Sequence, residues 1–111
     1  MAGGAKLQDA ASSTGNGNVV NCLGIAGTYR LTLIGAGTIS AGGVTWEQNP
    51  ISATYSGTWE PLAAELTPVD ATVVSAAFTG VVHYVRARVS TAVTGGGTVT
   101  ARMQAPVGDA A

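Results

Sequence analysis

Residues 81–90 read VVHYVRARVS, and this stretch decides the fold class. Its side chains alternate with a period of two, which is the period of a β-strand whose two faces meet different surroundings. One predicted face is apolar apart from a histidine: Val81, His83, Val85, Ala87 and Val89. The other face carries Val82, Tyr84, Arg86 and Arg88. The stretch predicts a strand that packs its apolar face on a core.

The same kind of pattern continues on both sides of this strand. Residues 28–34, TYRLTLI, also alternate and put Tyr29, Leu31 and Leu33 on one face. Further strands are predicted at 19–23, 38–48, 71–78 and 97–104, with glycines in the turns between them. About seven strands, and no helix longer than two turns, predict an all-β fold. The architecture expected is an antiparallel β-sandwich or a jelly-roll-like barrel.

Two local features refine this expectation. The pair Gly42-Gly43 falls inside a predicted strand, which indicates a bulge or a close approach of backbone. Pro61 cannot donate a backbone hydrogen bond, so a strand that contains it is expected at the edge of a sheet.

The chain divides into three predicted parts. Residues 1–17 read as an extended N-terminal arm, residues 18–106 as the β-sandwich domain, and residues 107–111 as a short tail. Residues 6–10 within the arm fit either a helical turn or a short strand. The arm is poor in large apolar side chains, so we expect it to be disordered in the free protein and ordered on a neighbour through Leu7.

Composition excludes several classes of function. The 111 residues include five basic and six acidic side chains, a net charge of −1, so no basic surface for nucleic acid is expected. One histidine and one cysteine are too few for a multi-histidine or multi-cysteine metal site or an internal disulfide framework. No signal peptide or membrane-spanning stretch is recognisable, which predicts a protein made in a cytoplasm or assembled there into something larger.

No catalytic constellation is apparent, so we expect a protein that is not an enzyme and has no cofactor. His83 and Cys22 are the only candidates for a nucleophilic pair, and both fall in predicted strands where a structural role is favoured. Trp46 and Trp59, with the tyrosines, fit either a core or an aromatic platform for a sugar, and the core is favoured.

Arg86 and Arg88 stand two residues apart and therefore project from the same face of their strand. One interpretation is an ordinary solvated face. The other is a subunit contact, in which each guanidinium pairs with a carboxylate of a neighbour. These arginines and Leu7 are the predicted contact residues.

The order of short motifs resembles small β-sandwich modules of tailed-bacteriophage virion proteins. The motifs are LQDA at 7–10 and TGNG at 14–17, TYRLTLIG at 28–35, VTWE at 44–47, GTW at 57–59 with Leu62, and VRARV at 85–89 followed by TGGGTVT at 94–100. Together they span nearly the whole chain. One departure precedes Gly57, where those modules carry a Ser-x-Asp-Gly and this chain has Tyr55-Ser56 and no aspartate.

The resemblance implies a structural component of a phage particle. The module here is nearly the entire chain, which favours a capsid decoration (cement) protein that stabilises the shell non-covalently on the virion surface. The expected partners are the major capsid protein and further copies of this chain, with a homotrimer preferred. The alternative is a carbohydrate-binding module associated with a tail or fibre.

Overall fold

A computed structural model of the chain describes residues 5–70 and 72–104. Seven strands form in this part of the chain: β1 (Ala5–Ala11), β2 (Gly15–Asn16), β3 (Val20–Ala36), β4 (Ala41–Asn49), β5 (Glu60–Pro61), β6 (Val73–Thr94) and β7 (Thr98–Gln104). These residues contain no helix, and hence no helix long and apolar enough to cross a membrane. The predicted tail, 107–111, lies outside the described residues.

All seven strands belong to one antiparallel sheet, so the predicted all-β antiparallel class is confirmed. The strand order is β1-β7-β3-β6-β4-β5, and β2 pairs with β6 beside this path. The two longest strands hold the sheet together, because each pairs with different neighbours along its length. β6 pairs mainly with β3 through its first half and with β4 through its second half.

These two long strands correct the predicted strand boundaries. Stretches 19–23 and 28–34 were expected as two strands separated by a turn, yet both lie in β3. Likewise 71–78 and 81–90 were expected to flank a turn at Gly80, yet β6 continues through it. The reason is that Gly27 of β3 pairs directly with Gly80, so the two glycines face each other inside a continuous ladder.

The predicted apolar face of residues 81–90 is correct for its second part and wrong for its first. Val85, Ala87 and Val89 are buried, whereas Val81 is half exposed and Val82 is buried in its place. The phase changes at His83, where three residues of β3, 22–24, stand opposite one residue of β6 between the pairs Asn21↔Tyr84 and Ile25↔Val82. Such a bulge bends the strand and increases its local twist. On β6 the buried side chains are Val85, Ala87 and Val89 on one side of this irregularity and Val82 on the other.

One core contains the inward side chains of both halves of the sheet. Tyr29, Leu31 and Leu33 share the buried face that their alternation predicts. The Tyr29 hydroxyl donates to the carbonyl of Ile25 at 2.6 Å, which satisfies its polar end. The other fully buried large side chains are Leu7, Val44, Trp46, Val82, Val85, Val89, Val99 and Met103. Each such apolar side chain contributes roughly 1.5–3 kcal/mol through its removal from water.

The described part of the predicted arm, residues 5–17, contributes two strands to the sheet. Residues 5–11 form β1 on the edge of β7, and residues 15–16 form β2 on β6. Leu7 is fully buried in the chain's own core, and its carbonyl accepts the amide of Asn18 at 2.8 Å. The expectation of disorder considered side-chain burial alone. The open edge of β7 also provides backbone hydrogen bonds, which small residues use as well as large ones.

Two local predictions are confirmed: the bulge at Gly42-Gly43, which lies in β4, and the edge position of the strand that contains Pro61, which is β5. The ladder between β4 and β6 shifts register on either side of Gly43, which is the expected bulge. The group that comes close to Gly43 is the side-chain carboxylate of Glu65, which occupies the place of a Cβ there, and not a backbone segment. Pro61 lies in β5, the last strand of the order, where its missing donor costs no ladder bond.

Beyond β5, irregular chain continues along the outer edge of β4. Leu62 donates its amide to the carbonyl of Trp46 at 2.9 Å, and Leu66 exchanges two backbone hydrogen bonds with Val44 at 2.9 and 3.0 Å. This edge is therefore covered by residues of the same chain.

Candidate functional site

Arg86 and Arg88 lie beside one carboxylate of the same chain. Glu47 of β4 stands directly opposite Arg86 in the ladder, and its Oε1 accepts from Arg86 Nε at 2.8 Å and from Arg88 Nε at 3.3 Å. Glu47 is only 5% exposed, so the ion pair with Arg86, whose side chain is also largely covered, forms in a poorly solvated place. The carboxylate that was expected from a neighbouring subunit is supplied internally.

The guanidinium of Arg86 has a second partner in Trp59. Its carbon lies 4.0 Å from the centre of the indole ring, a cation–π distance. A hydrogen bond holds the indole ring in place, because Trp59 Nε1 donates to the carbonyl of Tyr55 at 2.9 Å. We call Glu47, Trp59, Arg86 and Arg88 the charged cluster. The charged groups of this cluster thus have partners within the chain. Only the side chain of Arg88 keeps substantial exposure through which it could contact another molecule.

The two tryptophans do not form a sugar platform. Trp46 and Trp59 are both buried, as the core interpretation predicts. Trp46 Nε1 has no hydrogen-bond partner among the described residues, and the ring is 1% exposed. A flat aromatic surface for stacking would need at least one ring face open to solvent, and neither indole offers one.

Cys22 is buried, and burial raises the pKa of its thiol from 9.0 to about 11. A thiol with a raised pKa is almost wholly protonated at neutral pH and is a poor nucleophile. Residues 5–70 and 72–104 contain no group of three or more potential ligands that could hold a metal ion.

The β3 bulge turns a large apolar side chain into solvent. Leu23 is 75% exposed and has a φ of 59°, in the left-handed region that non-glycine residues seldom adopt. The Asn21 side chain holds this conformation, because its Oδ1 accepts the Leu23 amide at 2.9 Å. Ile25 beyond the bulge is also about half exposed. Val81 on β6 is similarly exposed, but it lies on the opposite face of the sheet, because Ile25 pairs with Val82. We call Leu23 and Ile25 the bulge surface.

A cleft of about 370 Å³ opens next to the bulge surface. β4 supplies Gln48 and Asn49 to its wall, β6 supplies Val81 and His83, and the loop 50–58 with Glu60 supplies the rest. His83 therefore lies in the wall of the cleft rather than in the core. Its ring packs against Gly24 of the bulge, where a Cβ would come within 2.9 Å of His83 Cε1.

The side chain of Gln48 makes hydrogen bonds to the backbone of β6 of the kind that a neighbouring strand would make. Its Oε1 accepts the amide of His83 at 3.1 Å, and its Nε2 donates to the carbonyl of Val81 at 3.3 Å. A side-chain amide thus takes the place of a peptide group beside residues 81–83 of β6. Neither Gln48 nor Leu23 is predicted as a site residue from the sequence. The one available signal was the Asn49-Pro50 turn, which marks the end of β4 but says nothing about the side chains before it.

Comparisons with protein families, with curated proteins and with solved structures give no match to this chain.

Proposed function

We propose that this chain is a structural subunit of a bacteriophage virion, a capsid decoration protein that attaches to the shell by non-covalent contacts. The resemblance of its ordered motifs to phage β-sandwich modules suggests the particle. The bulge surface suggests how the chain attaches, and it replaces Leu7 and the arginine pair as the candidate contact.

One observation carries this proposal: Leu23 is held out in solvent by a strained backbone. A left-handed conformation costs a non-glycine residue about 1–2 kcal/mol, and a leucine gains nothing there from burial. Backbone strain concentrates where a structure serves binding, and exposed apolar side chains grouped at one end of a protein mark contact surfaces. A capsid subunit that covers Leu23 would recover the apolar burial the free chain lacks.

The alternative, a carbohydrate-binding module built on the tryptophans, loses support because both indoles are buried. The homotrimer stays a prediction, and sedimentation equilibrium of the purified chain tests it directly.

The attachment test replaces Leu23 with asparagine. Asparagine tolerates the left-handed region and is polar, so Leu23→Asn preserves the bulge while removing the apolar contact. Val73→Asn is the matched control, since Val73 is similarly exposed but lies outside the bulge surface. Particles depleted of the chain are mixed with each variant, and the bound protein is quantified after sedimentation.

We expect Leu23→Asn to bind at least about tenfold more weakly, the loss expected when one large apolar side chain no longer becomes buried. Val73→Asn should bind like the unmodified chain, and thermal unfolding should show that both variants are folded. Equal binding by the two variants would remove the bulge surface from the proposal. Absence of the chain from purified virions, measured by mass spectrometry, would refute the virion function itself.

A further inference from the structure

We propose that the cleft beside His83 binds a neutral saccharide, a terminal mono- or disaccharide unit of a glycan. This inference is independent of the virion proposal, because it concerns a small ligand and a separate set of polar groups. The volume of the cleft, about 370 Å³, lies toward the lower end of the range for small-molecule sites, which is roughly 300–1,000 Å³. That space suits one or two sugar rings.

The wall of the cleft is held in place before any ligand arrives. Asn49 Oδ1 accepts the amides of Ile51 at 2.7 Å and Ser52 at 3.0 Å, and its Nδ2 donates to the Ser52 carbonyl at 3.0 Å. Gln48 is committed to the backbone of β6 by the bonds described above. Trp59 anchors the other end of the loop through the carbonyl of Tyr55. A preorganised wall reduces the ordering cost that weakens small-ligand binding.

Thr58, Glu60 and His83 are polar side chains of the cleft that remain for a ligand, and the Tyr55 hydroxyl is a fourth polar group in its wall. Glu60 is exposed, and its carboxylate carries one long internal contact, from Gln48 Nε2 at 3.4 Å. These four groups together offer acceptors and donors, which is what a row of ligand hydroxyls requires, since each hydroxyl both donates and accepts. Val81, Ile51 and the Tyr55 ring add apolar surface for the C–H face of a sugar.

The charges of the cleft disfavour the other small-ligand classes. No lysine or arginine is among its lining residues, and Glu60 would repel a phosphate or carboxylate. A quaternary ammonium ion would pair with Glu60 but has no N–H to donate to the hydroxyl of Thr58 or to the imidazole of His83. A neutral, hydroxyl-rich ligand uses all three.

The test is a titration of the isotope-labelled full chain followed by amide NMR. The probes are the methyl glycosides of glucose, galactose, mannose and N-acetylglucosamine, and the disaccharide lactose, each up to tens of millimolar. Tetramethylammonium and inorganic phosphate are run in parallel. We expect at least one saccharide to shift the amides of Val81, His83 and Glu60 in a saturable way, with the two ions giving no saturable shift there.

Glu60→Gln is the decisive variant and Glu65→Gln its matched control, because Glu65 lies outside the cleft and undergoes the same chemical change. Loss of a charge-assisted hydrogen bond should weaken binding by about tenfold or more in Glu60→Gln, with Glu65→Gln unchanged. No saturable shift in the cleft with any of the saccharides would overturn the inference. Equal affinities in the two variants, or tighter binding of tetramethylammonium, would also overturn it.

Discussion

Two regions beside β6 differ in whether their side chains find partners within the chain. In the charged cluster, Arg86 and Arg88 converge on Glu47, and Arg86 also stacks on Trp59, so residues typical of a protein interface are used within the chain. At the bulge surface, a leucine typical of a core is turned into solvent. The comparison teaches that residue type alone is a poor guide to contact surfaces. What decides is whether the fold already supplies a partner.

The largest effect should come from removing the shared carboxylate. Glu47→Gln keeps the shape of the side chain but leaves two guanidiniums without their counter-charge, one of them largely buried. Breaking one side of a buried ion pair costs about 3–5 kcal/mol, and the exposure of Arg88 favours the lower end. Urea denaturation measures this loss. Glu60→Gln, on the exposed edge strand, should cost under about 1 kcal/mol. Similar losses in both variants would mean that the charged cluster is not a stabilising unit.

A smaller effect is expected at the bulge from Gly24→Ala. Gly24 has a φ of 70°, and an added Cβ would press on the ring of His83, so we expect a loss of about 1–2 kcal/mol from backbone conformation with a further contribution from the clash. Gly37→Ala is the closer control, since Gly37 has a φ of 74° and a Cβ added there comes no nearer than 3.3 Å to another atom. Thermal unfolding of both variants makes the comparison. A loss no greater in Gly24→Ala than in Gly37→Ala would show that His83 moves aside freely.

The smallest effect on stability at neutral pH is expected from the ionisation of the Cys22 thiol, which lies in the bulge. This effect should grow as the pH rises above 9. Burial raises the pKa of this thiol from 9.0 to about 11, so between those pH values the unfolded chain ionises while the folded chain does not. The unfolded state then gains free energy, and the stability contributed by the neutral thiol, complete below pH 9, falls as pH rises toward 11. Urea denaturation of the unmodified chain and Cys22→Ala should give a stability gap that changes in that direction across this range. A gap that is constant with pH would contradict the raised pKa.

Sequence reasoning succeeded where the signal was local. The alternation of 28–34, the glycine pair in β4 and the proline in β5 each carry their own geometry, and the structure bears them out. It failed where the outcome depended on a distant strand. The phase of β6 changes at His83, beside the bulge of β3, and the carboxylate that pairs with Arg86 belongs to a residue 39 positions away in the chain.

The candidate site was harder to predict for the same reason. Leu7 looked available because nothing near it in sequence could bury it, yet β7 lies beside it in the sheet. The role of Gln48 depends on the backbone of another strand, β6, and Leu23 is exposed because of a backbone conformation that its own side chain disfavours. No pattern of apolar and polar residues encodes either fact.

The covered edge of β4 has a consequence for crowding. An exposed strand edge invites another molecule to add a strand, which is how native proteins begin to form fibrils. Here Pro61, Leu62 and Leu66 occupy the outer edge of β4 with short, irregular pairing, so a second copy finds no continuous row of free amides and carbonyls along it. At high local concentration, copies of the chain can therefore lie next to one another without pairing strands along this edge. Contacts between them there are made by side chains.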